Sequence, residues 1–165
     1  MAVRLHSQMI TEALAYLRYK RQFDLVADEY LKCDVLGLNG RDDLLEIEIK
    51  TSFADLKNDK TKPKHSWYGD NKSRKFKPSK FYFMVPEELV EKVKPYVEEN
   101  FPYAGIMTWV PGTYRKTKFV TNVKIKKQAK TLKNKKLTDK QYIKFQKRIV
   151  SSMIISKLKV LKDSQ

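Results

Sequence analysis

Alternation and periodicity divide the chain into elements before any chemistry is considered. Across residues 44–51, Leu45, Ile47 and Ile49 alternate with Glu46, Glu48 and Lys50. That period puts apolar side chains on one face of a strand and charged ones on the other. Residues 32–38 form a preceding strand, apolar after Lys32 except for Asp34, and residues 22–30 an earlier one. Asn39-Gly40 is a hairpin signal, so Asp34 and Glu48 are expected to meet on neighbouring strands. The runs 80–85 (KFYFMV) and 104–110 (AGIMTWV) read as buried strands.

Helical spacing occupies the intervals. Ser7 is placed to cap a helix over residues 8–21, with Ile10, Ala13, Leu14 and Leu17 as its buried stripe. Glu12 lies off that stripe, beside Met9, Tyr16 and Tyr19, and on pattern alone reads as a surface glutamate. Ser52 followed by Asp55 opens a short helix over 53–60. Pro86-Glu87-Glu88 opens another, with Leu89, Val93 and Val97 inward. Residues 61–79, rich in lysine and carrying Trp67, Tyr68 and Phe76, read as a long loop. The order helix, three strands, helix, strand, helix, strand predicts an α/β fold with a mixed central sheet flanked by helices.

That core spans residues 1–112. Residues 113–165 form a basic extension: a strand within 113–127, a lysine-rich connector, and a helix opened by the capping box Thr138-Asp139-Lys140-Gln141. Ile143, Ile149, Val150, Met153, Ile154, Leu158 and Leu161 give that helix a broad apolar face. It is expected to dock on the core or to pair with a second copy in a homodimer.

Charge changes the picture. The net charge is +16, yet residues 1–112 contribute only +1 and residues 113–165 contribute +15. Within the first part, residues 57–80 carry +7, leaving an acidic centre between two basic flanks. That distribution suits a polyanion held over an acidic site. The chain has 165 residues, 41% of them apolar and 12% aromatic, enough for a folded core. The lone Cys33 excludes an internal disulfide and a Cys-rich zinc site, and reads as a small buried hydrophobe. No apolar run approaches membrane-spanning length, and no secretory leader opens the chain. The expectation is a cytoplasmic protein, of a bacterium or a phage-infected cell, with no membrane partner. A glycine-rich phosphate loop and a serine-triad context are missing.

Two carboxylates and a lysine converging on one spot suit metal-assisted phosphodiester hydrolysis, because Mg²⁺ prefers hard oxygen ligands and keeps several waters. Asp34, Glu48 and the backbone carbonyl of Ile49 are the candidate ligands, with Mn²⁺ as a substitute ion. Glu12 could add a ligand through water. Lys50 would contact the scissile phosphate or the attacking water. The basic segment with its aromatics suits backbone tracking and base stacking. Its candidate contacts are Lys60, Lys62, Lys64, His65, Trp67, Lys72, Arg74, Lys75 and Lys77, followed by Arg115, Lys116 and Lys118 in the extension.

Asp34, then Glu48-Ile49-Lys50 after a hairpin, resembles the PD-(D/E)XK nuclease superfamily. Glu12 sits where Holliday-junction resolvases and other members carry a helical glutamate. Asp34-Val35-Leu36-Gly37-Leu38, Glu48-Ile49-Lys50-Thr51-Ser52, Ala54-Asp55-Leu56, Asp59 and Phe81-Tyr82-Phe83-Met84-Val85-Pro86 look like the MmcB-like DNA-repair branch. The resemblance covers residues 7–110 or so. Cys33 stands where the superfamily often has proline. The resemblance implies a restriction-endonuclease-like αβββαβ core and Mg²⁺-dependent cleavage of DNA, as an endonuclease of repair, recombination or phage DNA processing. It leaves two alternatives: a catalytically inactive DNA-binding subunit on the same fold, and an RNA-directed nuclease.

Overall fold

A computed structural model describes residues 2–40, 42–70, 77–110, 122–134 and 136–163. The strands are β1 (Leu25–Tyr30), β2 (Cys33–Asn39), β3 (Asp43–Ile49), β4 (Lys80–Pro86), β5 (Gly105–Trp109) and β6 (Val123–Lys127). They form one six-stranded sheet in sequential order. β1, β2 and β3 are antiparallel neighbours, β3, β4 and β5 run parallel, and β6 returns antiparallel on β5. The mixed α/β sheet expected from the pattern is therefore present. The expected strand within 113–127 is seen as β6, and residues 113–121 lie outside the described residues.

The parallel pairings require crossovers, and the helices supply them. Between β3 and β4 the chain forms α2 (Phe53–Asn58), a 3₁₀ turn (Asp59–Thr61) and α3 (Lys64–Tyr68). Residues 64–68, inside what the sequence presents as a basic loop, are therefore helical. Between β4 and β5 it forms a 3₁₀ turn (Glu87–Leu89) and α4 (Val90–Asn100). The capping signals at Ser52 and Thr138 hold. Ser52 Oγ accepts the Asp55 N–H at 3.2 Å. Thr138 and Gln141 bond reciprocally, Thr138 N–H to Gln141 Oε1 at 2.9 Å and Gln141 N–H to Thr138 Oγ1 at 3.3 Å. Gly40 takes a positive φ of 61° in the β2–β3 turn, a conformation cheap only for glycine.

The two faces of the sheet are covered differently. α1 (Ala2–Ala15), continued by a π-helical turn (Tyr16–Lys20), lies on the face of Val35, Leu45, Ile47, Ile49, Tyr82 and Met84. It starts earlier than Ser7 predicts, and its buried stripe is Met9, Ala13, Tyr16 and Leu17, a rotation from the expected one. Glu12 is carried inward by that rotation and is 5% exposed, which corrects its reading as a surface residue. The opposite face, bearing Phe81, Phe83 and Ile106, is covered by α4 through Val90, Val93 and Val97, and by Leu56 of α2.

α5 (Asp139–Asp163) docks by its first half only. Phe145 is fully buried among Leu36, Leu38, Leu44 and Leu137, edge-on to Tyr30, with Ile149 partly buried beside it. Phe145 was not among the expected apolar positions. Arg148 donates to the Asp28 carbonyl at 3.0 Å, and Ser152 Oγ to Asp28 Oδ1 at 3.0 Å. Beyond that, Met153, Ile154, Ile155, Leu158 and Val160 are about half exposed or more.

Candidate functional site

β3 is the frame of the site. Its pairing with β2 sets Val35 opposite Ile47. One residue further, Glu48 points to the face opposite α1, and Asp34 comes to the same strand ends. The Ile49 N–H donates to Asp34 Oδ2 at 2.8 Å, which fixes that carboxyl at the strand junction. His6 of α1 approaches the same oxygen at 3.8 Å. Lys50, just past β3, keeps its backbone in the sheet by donating its N–H to the Met84 carbonyl of β4 at 2.9 Å. The expected trio of Asp34, Glu48 and Lys50 is thus brought to one end of adjacent strands.

The crossover after β3 folds back over this face and adds groups that the sequence reading did not place there. Lys50 Nζ lies 3.2 Å from Glu48 Oε1, 2.6 Å from Asp59 Oδ1 and 3.7 Å from Asp55 Oδ1. Lys62 pairs with Glu48, and with Asp59 at 2.6 Å. Lys64 bridges Glu46 at 2.8 Å and Glu48 at 2.6 Å. The Tyr68 hydroxyl donates to Glu46 Oε2 at 2.5 Å. His65 joins Asp59 to Tyr103, with Nε2 2.5 Å from Asp59 Oδ2 and Nδ1 2.5 Å from the Tyr103 hydroxyl. An ionised carboxylate only accepts, so Nε2 carries the proton that Asp59 receives. Rings of Phe81, Phe83 and Phe101 surround the imidazole, with Phe101 at 4.7 Å between centroids.

Glu46, Glu48, Lys50 and Asp59 are each under 5% exposed. Buried charges require partners, and the network supplies them. Burial works to raise the Glu48 carboxyl, but the ammonium of Lys64, with those of Lys50 and Lys62, reverses this and holds it below the usual carboxylate range. Burial opposes ionisation of Asp59 too, and the hydrogen bonds from His65, Lys50 and Lys62 override it and hold that carboxyl far down. The same contacts overcome burial and push the Lys62 and Lys64 ammoniums above the usual lysine range. Asp34 differs. Burial first, then the negative charge of Glu48, raises it, and the Ile49 N–H, His6 and Lys50 offset this only in part. Cys33 is buried as expected, and burial pushes its thiol well up.

Several expected surface contacts point elsewhere. His65 is 9% exposed and committed to the buried network, so it is not a surface histidine. Lys77 is 3% exposed and donates to the Asp70 carbonyl at 2.6 Å. Lys64 faces inward to two glutamates, and Lys60 donates to Asn100 Oδ1 at 2.7 Å. Lys62 remains substantially exposed while it reaches the carboxylates. Trp67 is half-buried on α3. Lys72, Arg74, Lys75, Arg115, Lys116 and Lys118 lie outside the described residues. Glu46, which alternation places on the charged face, is fully buried and belongs to Lys64 and Tyr68. Asp59, Tyr68 and Tyr103 are functional candidates missed as such. Asp59 falls inside the expected helix over 53–60 and among the residues of the resemblance, with no role assigned, Tyr68 in the expected loop, and Tyr103 at a helix end.

Among the described residues, no cluster of three or more histidine, cysteine, aspartate or glutamate side chains is arranged to hold a metal ion. The hard-oxygen set is Asp34, Glu48 and the Ile49 carbonyl. Burial, and after it the negative charge of Glu48, raises the proton affinity of Asp34. That donor set suits a Mg²⁺-sized ion, since such an ion needs only one or two carboxylates and keeps its waters. Glu12 is buried on α1, the helix whose His6 approaches Asp34.

No protein-family model matches this chain, and no curated protein does. Among solved structures, it is similar to a protein of unknown function from Silicibacter pomeroyi at 16% identity, covering 94% of this chain and 90% of that one, with a TM-score of 0.52. At that identity the likeness concerns the fold: an α/β arrangement with an open mixed sheet and flanking helices.

Proposed function

We infer that the protein is a metal-dependent nuclease that hydrolyses phosphodiester bonds in DNA, of the PD-(D/E)XK kind. The observation that carries this reading is the placement of Asp34 and Glu48 on paired strands with Lys50 3.2 Å from Glu48. The order of helix, three antiparallel strands, crossover and parallel strand supports it. Asp34, Glu48 and the Ile49 carbonyl would hold Mg²⁺ or Mn²⁺, which when bound neutralises phosphate and acidifies water. Lys50 orients the attacked phosphate or its water, and Asp59, backed by His65 and Tyr103, holds the Lys50 ammonium in place. The net charge of +16 suits a polyanion held through its backbone.

A second reading has a specific observation behind it. Both Glu48 oxygens already accept from lysine ammoniums, so the acid is charge-balanced without a metal. That favours a non-catalytic DNA-binding subunit. Incubating the pure protein with plasmid, single-stranded DNA and RNA, in Mg²⁺ or Mn²⁺ against EDTA, separates the readings. Metal-dependent cleavage abolished by Glu48→Ala supports the nuclease. Binding without cleavage supports the subunit, and cleavage of RNA alone makes it an RNA-directed nuclease. The pairing of a second copy through the exposed half of α5 is part of the proposal, tested by mass in solution.

A further inference from the structure

A cavity of about 600 Å³ opens beside the buried charges. Its walls include Leu31 and Lys32 from the β1–β2 turn, Lys62, Lys64 and Trp67 from the crossover, and Gln141 from the first turn of α5. Its size is that of small-ligand sites. Its lining is mostly apolar, with lysines from two separate segments at hand. Lys62 and Lys64, whose ammoniums also hold Glu48, join the cavity directly to the candidate site.

The turn that carries Leu31 and Lys32 is itself informative. Tyr30 pairs with Cys33, so two residues close the hairpin, and both take positive φ, 53° at Leu31 and 63° at Lys32. Such turns ordinarily use Asn, Asp or Gly, because a Cβ is sterically disfavoured there. Leucine and lysine are poor turn formers, and they hold side chains at the cavity wall. Leu31 stays 40% exposed. Disfavoured backbone retained at a cavity points to use of the side chains rather than to turn chemistry.

We propose that this cavity binds a nucleotide, its base against Trp67 and Leu31 and its phosphate toward Lys32 and Lys62, presented as an unpaired residue of a nucleic-acid strand. The proposal rests on the nucleic-acid reading above and deepens it: the substrate would be single-stranded or would carry an unpaired nucleotide beside the cleavage site. An aromatic face beside cations is the chemistry that takes a base with its phosphate.

The test is binding in EDTA, where no cleavage intervenes. Anisotropy is measured with labelled oligothymidylate of about 12 nucleotides and with a duplex of equal length, and competition with thymidine 5′-monophosphate and with inorganic phosphate. Trp67→Ala should weaken single-strand binding about tenfold or more, with Trp67→Tyr restoring part of it. Lys32→Glu should weaken the single strand more than Lys136→Glu, which makes the same charge change at a distant exposed lysine. The two lysine variants should weaken duplex binding equally. Competition by the monophosphate but not by phosphate assigns the cavity to free nucleotides as well. Competition by neither assigns it to a nucleotide within a strand. Unchanged single-strand affinity in Trp67→Ala, or equal losses in the two lysine variants, overturns the proposal. Circular dichroism melts confirm folding, and the exposed Lys32 variant keeps the test alive if the Trp67 variant unfolds. Cleavage in Mg²⁺ is scored separately. Intact cleavage with an inert cavity removes this proposal alone, and a functioning cavity without cleavage removes the nuclease reading alone.

Discussion

The two faces of β3 are buried to the same degree and could hardly differ more in chemistry. Leu45, Ile47 and Ile49 meet Met9 and Ala13 of α1 and Leu17 of the π-helical turn in an apolar layer, with Glu12 buried on the same helix. Glu46 and Glu48, alternating with them, and Lys50 beyond meet lysines, a histidine and tyrosines. Apolar burial stabilises a fold by about 1.5–3 kcal/mol for each large side chain. Burying charge returns little, because desolvation consumes most of the Coulombic gain. A strand that only had to be stable would carry apolar residues on both faces. The charged face is the one on which the nuclease reading rests, and its groups differ: the proton affinity of Asp34 is raised, and those of Glu48 and Asp59 are lowered.

The largest contrast is expected in activity. Glu48→Ala should take cleavage to background, whereas Ile47→Ala, one residue away on the apolar face, should leave the catalytic rate near wild type in the folded fraction. A plasmid-nicking assay on both reads the difference, and comparable losses would mean the two faces are not functionally separate. Asp34→Asn should also abolish cleavage but should leave the urea midpoint unchanged or raised, because the folded state disfavours the ionised Asp34.

Stability should show the next effect. Ile47→Ala removes packing and should cost about 2–5 kcal/mol. Glu46→Ala leaves Lys64 and Tyr68 short of a partner and should cost about 3–5 kcal/mol. Adding Lys64→Met to Glu46→Met should cost less than the sum of the singles, with a coupling of about 0.5–3 kcal/mol in urea melts. Because Lys64 serves Glu48 too, Glu46→Ala is expected to reduce activity appreciably.

The pH dependence follows the charged face only. Glu48 and Asp59 have native proton affinities below those of the unfolded chain. Their stabilisation is complete above the ordinary carboxylate range, near pH 4, and is lost as pH falls through the lowered native values. Lys62 and Lys64 have raised native values, so their contribution is complete below about pH 10 and is lost only as pH rises beyond it. The wild-type urea midpoint should therefore be flat near neutrality and drop in acid. A Glu48→Gln, Asp59→Asn variant should show a shallower acid limb, and an unaltered limb would place the sensitivity elsewhere. The smallest effect belongs to Ser52→Ala, which uncaps the helix leading to Asp59 and should cost about 1 kcal/mol.

What was legible in the chain was what local rules govern. Alternation placed β3 with Glu48 and Lys50 on one face, Asn39-Gly40 joined it to β2, and the two capping motifs opened α2 and α5 where they were expected. These features arise from interactions within a few residues, so a single sequence displays them. The face of α1 was misjudged because Met9, Ile10, Leu14 and Leu17 allow two overlapping stripes, and contact with β3 selects the one that buries Glu12. The docking of α5 through Phe145 depends on Leu36, Leu38 and Leu44, more than a hundred residues earlier. The same holds at the site. Asp59 and His65 look like surface residues until the crossover lays them on the sheet beside Tyr103, and Lys62 and Lys64 look like surface charge until Glu46 and Glu48 come within ion-pair range. Periodicity states which side of an element is apolar. Which distant groups satisfy a buried carboxylate depends on contacts between remote segments, and those exist only in the folded chain.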